Sequence, residues 1–280
     1  MKLVLLTALT MIAFAANSVL NRMGLVQAEM DPVSFGTIRL IAGAGMLALL
    51  CLVFRGGVTL AGPRRAAGVL TLTLYIYGFS LAYVALDAGL GALLLFGTVQ
   101  VTMFAGAILA KDPMPPLRWA GAGLAFAGLV WLLLPTSDVS VPLAQAGMMV
   151  LAGVGWGLYS LVGRNAGDAM QATAANFILA VPLGIALAVV SWGIGPGPVI
   201  TSSGVWLAIL SGAVTSGVGY ALWYSILPQL GSARAAVAQL SVPVIAIAGG
   251  ALLLSEVPDL RTLIAGAVVL GGVALSLRAK

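Results

Sequence analysis

The 280-residue chain has no histidine, one cysteine and eight acidic side chains, and each scarcity closes off a class of function. With Cys51 alone and no His, no intramolecular disulfide and no multi-cysteine metal site can be assembled. A hydrolytic triad, a metal centre or an intramembrane carboxylate pair likewise lacks material, so the chain reads as no enzyme, with no cofactor and no metal. Charge is equally scarce: Asp, Glu, Lys and Arg make up 8% of the residues against 61% hydrophobic, with mean hydropathy +1.12. That is too little charge to solvate a globular surface and more apolar length than one core needs, which makes a polytopic membrane protein. The net charge of +5 is spread through short loops rather than gathered on one face, so it argues for topology and against nucleic acid. The expected partners are a small-molecule substrate and membrane lipid; the oligomeric state stays open, a monomer being adequate.

What is present is apolar length. About 20 apolar residues carry a helix across the hydrocarbon, and ten stretches qualify: 3–26, 34–54, 66–86, 89–110, 117–134, 143–163, 172–193, 204–227, 232–254 and 259–278. They are continuous and rich in Leu, Ala, Val and Gly, whereas a barrel would show roughly ten-residue alternating segments. The expected fold is therefore all-α, with ten transmembrane helices. With a cytoplasmic N-terminus, alternating loops place Lys2, Arg55, Arg64, Arg65, Lys111, Arg118, Arg164, Arg234, Arg278 and Lys280 inside, and only Arg22, Arg39 and Arg261 on the outer half. The positive-inside rule selects this orientation, with both termini cytoplasmic. One rival concerns the start: Lys2, the run Leu3 to Ile12 and Ala13-Phe14-Ala15 also resemble a cleavable signal peptide. Its removal would leave the sixth span without a counterpart.

The stretches divide five and five around a short linker, 135–142. An odd number per unit makes the second copy enter the membrane from the opposite side, so repeats at 1–134 and 143–280 would be inverted, an arrangement of secondary transporters. Phe14 through Arg22 sets against Trp156 through Arg164 at an offset of 142. Tyr77 meets Tyr220, Ala92 meets Ala235 and Thr98 meets Ser241 at 143, and Asp112 meets Glu256 at 144. Identity is low, but the register is nearly constant across most of the chain.

At these residues the chain resembles the drug/metabolite transporter superfamily, whose members carry two EamA-type domains of five helices. The resemblance rests on the aromatic-small-Asn region Phe14 to Asn17, on Asp31-Pro32 followed by Arg39, and on Tyr220-Ala221-Leu222-Trp223-Tyr224 through Gly231 to Ala235, Pro243 and Ser255-Glu256. It covers the whole chain. In the fourth span the family's proline is replaced by Gln100, and the closing acid is Asp112 behind Lys111. Within the superfamily the chain looks most like the YddG-like amino-acid exporters. The resemblance implies export of small organic metabolites, amino acids with aromatic or other apolar side chains above all, across a bacterial cytoplasmic (inner) membrane. A nucleotide-sugar, lipid-linked or drug carrier of the same superfamily is the alternative, though phosphate would call for more deep basic residues than Arg39. A structural membrane protein would not need matched polar positions in ten spans.

A substrate site in such a repeat protein belongs near the midplane, where polar and aromatic side chains deep in spans face the bundle interior. Asn17 and Asn21 lie one turn apart on the first span, and Trp156 and Tyr159 mark the matching stretch of the sixth; these are read as facing walls of one cavity or as interhelical hydrogen bonders. Tyr77, Ser80, Thr98, Gln100, Tyr220, Trp223, Tyr224, Gln239 and Ser241 complete the candidate lining, with ring faces for a side chain and hydrogen bonds for a polar head. Tyr75, Tyr83, Trp119, Trp131, Trp192 and Trp206 are read instead as interface-belt residues. Arg39, about 10 Å along its helix from Pro32, either attracts a substrate carboxylate or snorkels outward to Asp31 or Asp87; the cost of an unpaired buried guanidinium favours the second role.

No Asp or Glu falls mid-span, whereas proton-coupled carriers commonly place one there, so facilitated or exchange-type movement by alternating access is expected. Pro182 and Pro243 are the candidate bends, and Gly153 and Gly157 the candidate hinge or gating positions. The fifth and tenth spans, with Gly121, Gly128 and Gly272 but no deep polar residue, read as scaffold.

Overall fold

A computed structural model describes residues 1–111, 115–134, 141–163, 167–195 and 197–278, apart from the side chains of 231–237 and 277–278. Asp112, Asp138, Arg164, Lys280, most of the linker at 135–142, and the Ala235 and Arg234 side chains lie outside the described residues.

Every regular element among the described residues is helical. In chain order these are α1 (Lys2–Arg22), α2 (Pro32–Arg55), α3 (Arg65–Ala82), α4 (Ala88–Leu109), α5 (Pro116–Leu133), α6 (Leu143–Gly163), α7 (Ala169–Ile194), α8 (Ser202–Ile209), α9 (Gly219–Gln239), α10 (Ser241–Leu254) and α11 (Leu260–Arg278). Two wider π-helical turns interrupt them. Met23–Gln27 prolongs α1, and Leu210–Val218 joins α8 to α9. Eight helical stretches are long and apolar enough to cross a membrane, α8 counting as one with the π turn and α9 to Leu230; Ser241–Leu254 and Leu260–Ser276 are shorter apolar helices. The chain is an all-helical polytopic membrane protein.

The ninth apolar run, 232–254, is not one helix. Residues 232–239 belong to α9, Leu240 interrupts the helix as a turn while keeping right-handed dihedrals, and α10 starts at Ser241. Pro243 supplies the reason: its ring clashes with the carbonyl four residues back, that of Gln239, so α9 has to end there. Pro243 itself then occupies the first turn of α10, where its missing N–H costs nothing. The interior prolines are Pro182 in α7 and Pro228 in α9.

Local chemistry sets several other boundaries. Asp31 caps α2, accepting from the Ser34 N–H at 2.8 Å ahead of Pro32 at the first position, and Gly56 closes the helix in the left-handed conformation. Asp168 caps α7 through the N–H groups of Met170 and Gln171, and Thr201 caps α8 through that of Gly204.

α1 packs against α9, α10 and the second π turn; α2 against α7 and that same turn; α3 against α6 and α7; α4 against α6 and α10; and α5 against α11. Small residues make the closest crossings possible. A Cβ added at Gly155 would stand 2.8 Å from the Tyr75 N, so α3 and α6 touch backbone to backbone; one at Gly212 would stand 2.1 Å from the Arg39 carbonyl oxygen, where the π turn meets α2.

Candidate functional site

α2, α4, α6, α7 and α9 diverge toward one end of the bundle and leave a cavity of ≈ 1030 Å³ between them. Its walls mix rings with polar groups: Val99, Gln100 and Met103 from α4, Trp156, Tyr159 and Ser160 from α6, Thr173 and Asn176 from α7, Trp223 and Tyr224 from α9, and Gln239 at the α9 terminus. Arg55 and Asp168 stand at the helix ends that border it, joined by an ion pair of 2.6 Å. Burial alone would raise the Asp168 carboxyl, but the Arg55 guanidinium and the two capping N–H groups outweigh it and hold the pKa below its ordinary value.

A chain of hydrogen bonds fixes one wall. Arg65 donates to the Asn176 Oδ1 (3.0 Å), and the Asn176 amide donates to the Tyr159 hydroxyl (3.3 Å). Tyr159 donates to Thr173 (3.0 Å), which donates to the Tyr224 hydroxyl (3.2 Å). Four helices are thereby linked through groups that would otherwise be unsatisfied in an apolar setting.

At Trp156 the lining passes to a second void of only ≈ 20 Å³, bordered also by Phe14, Asn17, Ser18, Tyr75, Phe79, Leu95, Phe96 and Tyr220. The Trp156 indole stacks between Tyr159 (5.5 Å between centroids) and Tyr220 (5.2 Å), with Tyr75 tilted against it at 5.0 Å. It forms a partition between the two spaces. Beyond it, Asn17 is held by the π turn: it accepts from Ser211 (2.6 Å) and Thr215 (2.7 Å) and donates to Ser216 (3.2 Å). Such widened turns recur at functional sites, and here the irregular backbone presents three hydroxyls to one amide. Further on, Ser80 donates to the Asn21 Oδ1 at 3.0 Å.

The opposite end of the bundle is shut by Arg22. Its Nε meets Glu256 at 2.9 Å, its Nη2 meets Asp87 at 3.4 Å, and its Nη1 donates to the carbonyls of Tyr83 and Val84. Glu256 accepts in turn from the Ala88 N–H at 2.8 Å. This clamp ties α1 to the α3–α4 connection and to the segment between α10 and α11.

Of the residues expected at the site, Gln100, Trp156, Tyr159, Trp223, Tyr224 and Gln239 line the large cavity, and Asn17, Trp156 and Tyr220 the small void. Asn17 and Trp156 therefore do share a space, though a collapsed one. Tyr77 points elsewhere, its hydroxyl 2.7 Å from that of Thr37, and Ser241 donates to the Ala238 carbonyl. Thr98 packs where a Cβ on Gly153 would come within 2.6 Å, and Thr102 does the same for Gly157, so both glycines serve the close contact of α4 with α6. Tyr75 and Tyr83, expected in the interface belt, are buried at 5% and 0% exposure because both join the aromatic row along α3, whereas Trp119, Trp131, Trp192 and Trp206 remain exposed. Arg39 does not reach Asp31 or Asp87: it is fully buried and donates to Tyr75 (2.8 Å) and Ser216 (3.4 Å). The reason is that both acids are already engaged, Asp31 by the N–H groups of Ser34 and Val199 and Asp87 by Arg22.

The sequence reading missed Thr173, Asn176, the hydroxyls of the π turn and the Arg22 clamp. Thr173 and Asn176 lie three apart and so share a helical face, a signal available from the sequence. Nothing local pairs Arg22 with Glu256, 234 positions away.

A cavity that enters a helical membrane bundle from one end, with a charged clamp at the other, suits a membrane transporter. Residues 144–278, just under half of the chain, match the EamA-like transporter family. An uncharacterized protein of Pseudomonas aeruginosa is 45% identical over 275 residues, covering 98% of this chain and 93% of the other. A solved crystal structure shares the fold with a TM-score of 0.70 at 18% identity, across 100% of this chain and 98% of that one.

Proposed function

We propose that the protein exports small organic metabolites, amino acids with aromatic or other apolar side chains above all, across a bacterial inner membrane by alternating access. The observation that carries the reading is the ≈ 1030 Å³ cavity, which joins ring faces to hydroxyl and amide groups within a bundle closed at its other end. Rings suit an apolar side chain, and the hydrogen-bonding groups suit its polar head. The chain is taken to cross the membrane ten times as two inverted five-helix repeats, 1–134 and 143–280, with both termini cytoplasmic. The pattern of helix contacts supports that reading: exchanging first-half for second-half spans turns the pairing of α3 with α6 into that of α1 with the span of α8 and α9, and the pairing of α4 with α6 into that of α1 with α10. On this orientation the cavity faces the cytoplasm and the Arg22 clamp lies outside, a state ready to load for export.

Among the described residues the acids sit at helix ends or in connections, as Asp87, Asp168 and Glu256 do, which fits facilitated or exchange movement rather than tight proton coupling. The test is flux of a panel of labelled amino acids through liposomes containing the purified protein, with and without an imposed pH gradient. Saturable flux of aromatic or apolar amino acids, indifferent to the gradient, is expected. No flux of any amino acid, with flux of another metabolite, contradicts the substrate class; flux driven by the gradient contradicts the mechanism.

A further inference from the structure

We propose that Arg39 is the receptor for a substrate carboxylate, and that the carrier recognises its solutes by that group rather than by an amino group. The inference rests on the reading of the central cavity as the substrate path and names the chemistry of what it takes.

Arg39 is a fixed positive charge with 0% exposure in the interior of a membrane bundle. Its Nη2 meets two neutral hydroxyls, those of Tyr75 and Ser216, and its guanidinium carbon lies 5.2 Å and 4.9 Å from the ring centroids of Tyr75 and Phe79. Its Nε and Nη1 have no partner. Ring faces and hydroxyls soften such a charge without neutralising it. An unpaired guanidinium of this depth is expensive to keep, and intramembrane charges that are kept face substrate paths.

Its position matches that role. Tyr75 and Phe79, against which the guanidinium lies, border the small void, and Asn17, on the same void, shares Ser216 with Arg39. Arg39 itself borders neither space: it stands behind Tyr75 and Phe79, so a solute passing Trp156 reaches it when those rings part. A carboxylate spans one idle donor, Nε or Nη1, and the adjoining Nη2, so to bind by both oxygens it displaces the Tyr75 or the Ser216 hydroxyl from Nη2. A single cation matches one negative charge, which favours monocarboxylates over phosphorylated solutes. Nothing comparable awaits an ammonium group: the one acid among the described lining residues of the large cavity is Asp168, already paired with Arg55 at 2.6 Å. A monocarboxylate without an amino group on Arg39 neutralises the interior, whereas a zwitterionic amino acid pairs the guanidinium but carries its own ammonium in with it.

The experiment measures binding to the purified wild-type protein by thermal shift, then transport in liposomes. The probes share one ring: phenylalanine, 3-phenylpropionate, which lacks the amino group, and phenethylamine, which lacks the carboxylate. The acid should bind within about threefold of the amino acid and the amine about tenfold or more weaker, as expected for loss of charge-assisted hydrogen bonds. Arg39→Gln should abolish the preference for acid over amine, and Arg39→Lys should restore part of it. Equal binding of acid and amine by the wild type, or no binding of either carboxylate, overturns the assignment whether or not the variants fold. An acid preference retained in Arg39→Gln overturns it as well. Transport separates the two claims: acid-selective binding without flux of any amino acid leaves Arg39 assigned and removes the amino-acid export reading, whereas flux without acid selectivity does the reverse.

Discussion

The two ends of this bundle are built from different materials. At the Arg55 end the helices stand apart around a wide space whose polar groups are chiefly neutral, and the one ion pair there is half exposed, with side chains 47% and 35% accessible. At the Arg22 end they converge on charge, with side chains only 14% and 12% accessible in the Arg22–Glu256 pair. The difference tells which contacts hold a state and which meet a solute. A shielded pair that also takes backbone donors is costly to separate, whereas an exposed pair contributes little. Neutral hydroxyls and rings can exchange partners with a passing molecule at small cost.

The comparison is broken most severely by Trp156→Ala, because Trp156 belongs to both spaces and carries two stacked ring contacts. Truncation of a large buried aromatic costs about 3–5 kcal/mol, so a markedly lower melting temperature and at least a tenfold loss of amino-acid flux are expected. Flux near wild type in a folded variant would remove the partition from the path. Arg22→Gln comes next. It leaves Glu256 with the Ala88 N–H alone and should shift the balance toward opening at that end about tenfold, as for coupling energies of about 1–3 kcal/mol. A thiol-labelling rate at Ser80→Cys, in a Cys51→Ser background, reads this directly, and the reversed pair Arg22→Glu with Glu256→Arg should recover part of the closure. The smallest effect belongs to the Arg55 end. Arg55→Gln should leave the melting temperature nearly unchanged, because an exposed pair contributes little, and Asp168→Ala should cost about 1 kcal/mol, chiefly from the lost α7 cap. Since the folded Asp168 carboxyl is held below its ordinary pKa, its contribution is complete above the ordinary carboxylate range and is lost as pH falls through the lowered folded value. Thermal melts of wild type and Asp168→Asn between about pH 3 and 7 should therefore converge at the acid end.

Hydropathy made the helical membrane class legible because apolar length is a property of each segment by itself. The 143–163 stretch coincides with α6, and most other boundaries fall within a few residues. What stayed hidden depends on geometry that hydropathy does not encode. The interruption at Leu240 follows from the Pro243 ring meeting the Gln239 carbonyl, and the widened turn at Leu210–Val218 leaves no trace in an apolar count. For the site, deep polarity pointed to Asn17, Gln100, Trp156 and Tyr224, because polar groups in hydrocarbon turn inward. It misplaced Tyr75 and Tyr83, since a tyrosine near a span end looks the same whether it faces lipid or neighbouring rings. Arg22 entered as one outer charge in the topology rule and as the repeat partner of Arg164, neither of which pairs it with an acid. Its role came from Glu256, which the fold brings alongside.

The most direct test of a bundle open at one end and clamped at the other is sidedness of labelling in oriented membrane vesicles, with Cys51→Ser as background. Ser160→Cys, on the cavity wall, should react with a membrane-impermeant thiol reagent supplied from the cytoplasmic face, and Ser80→Cys, buried at the Arg22 end, should react from neither face. Labelling of Ser160→Cys only from the outer face, or ready labelling of Ser80→Cys with Arg22 intact, would contradict it.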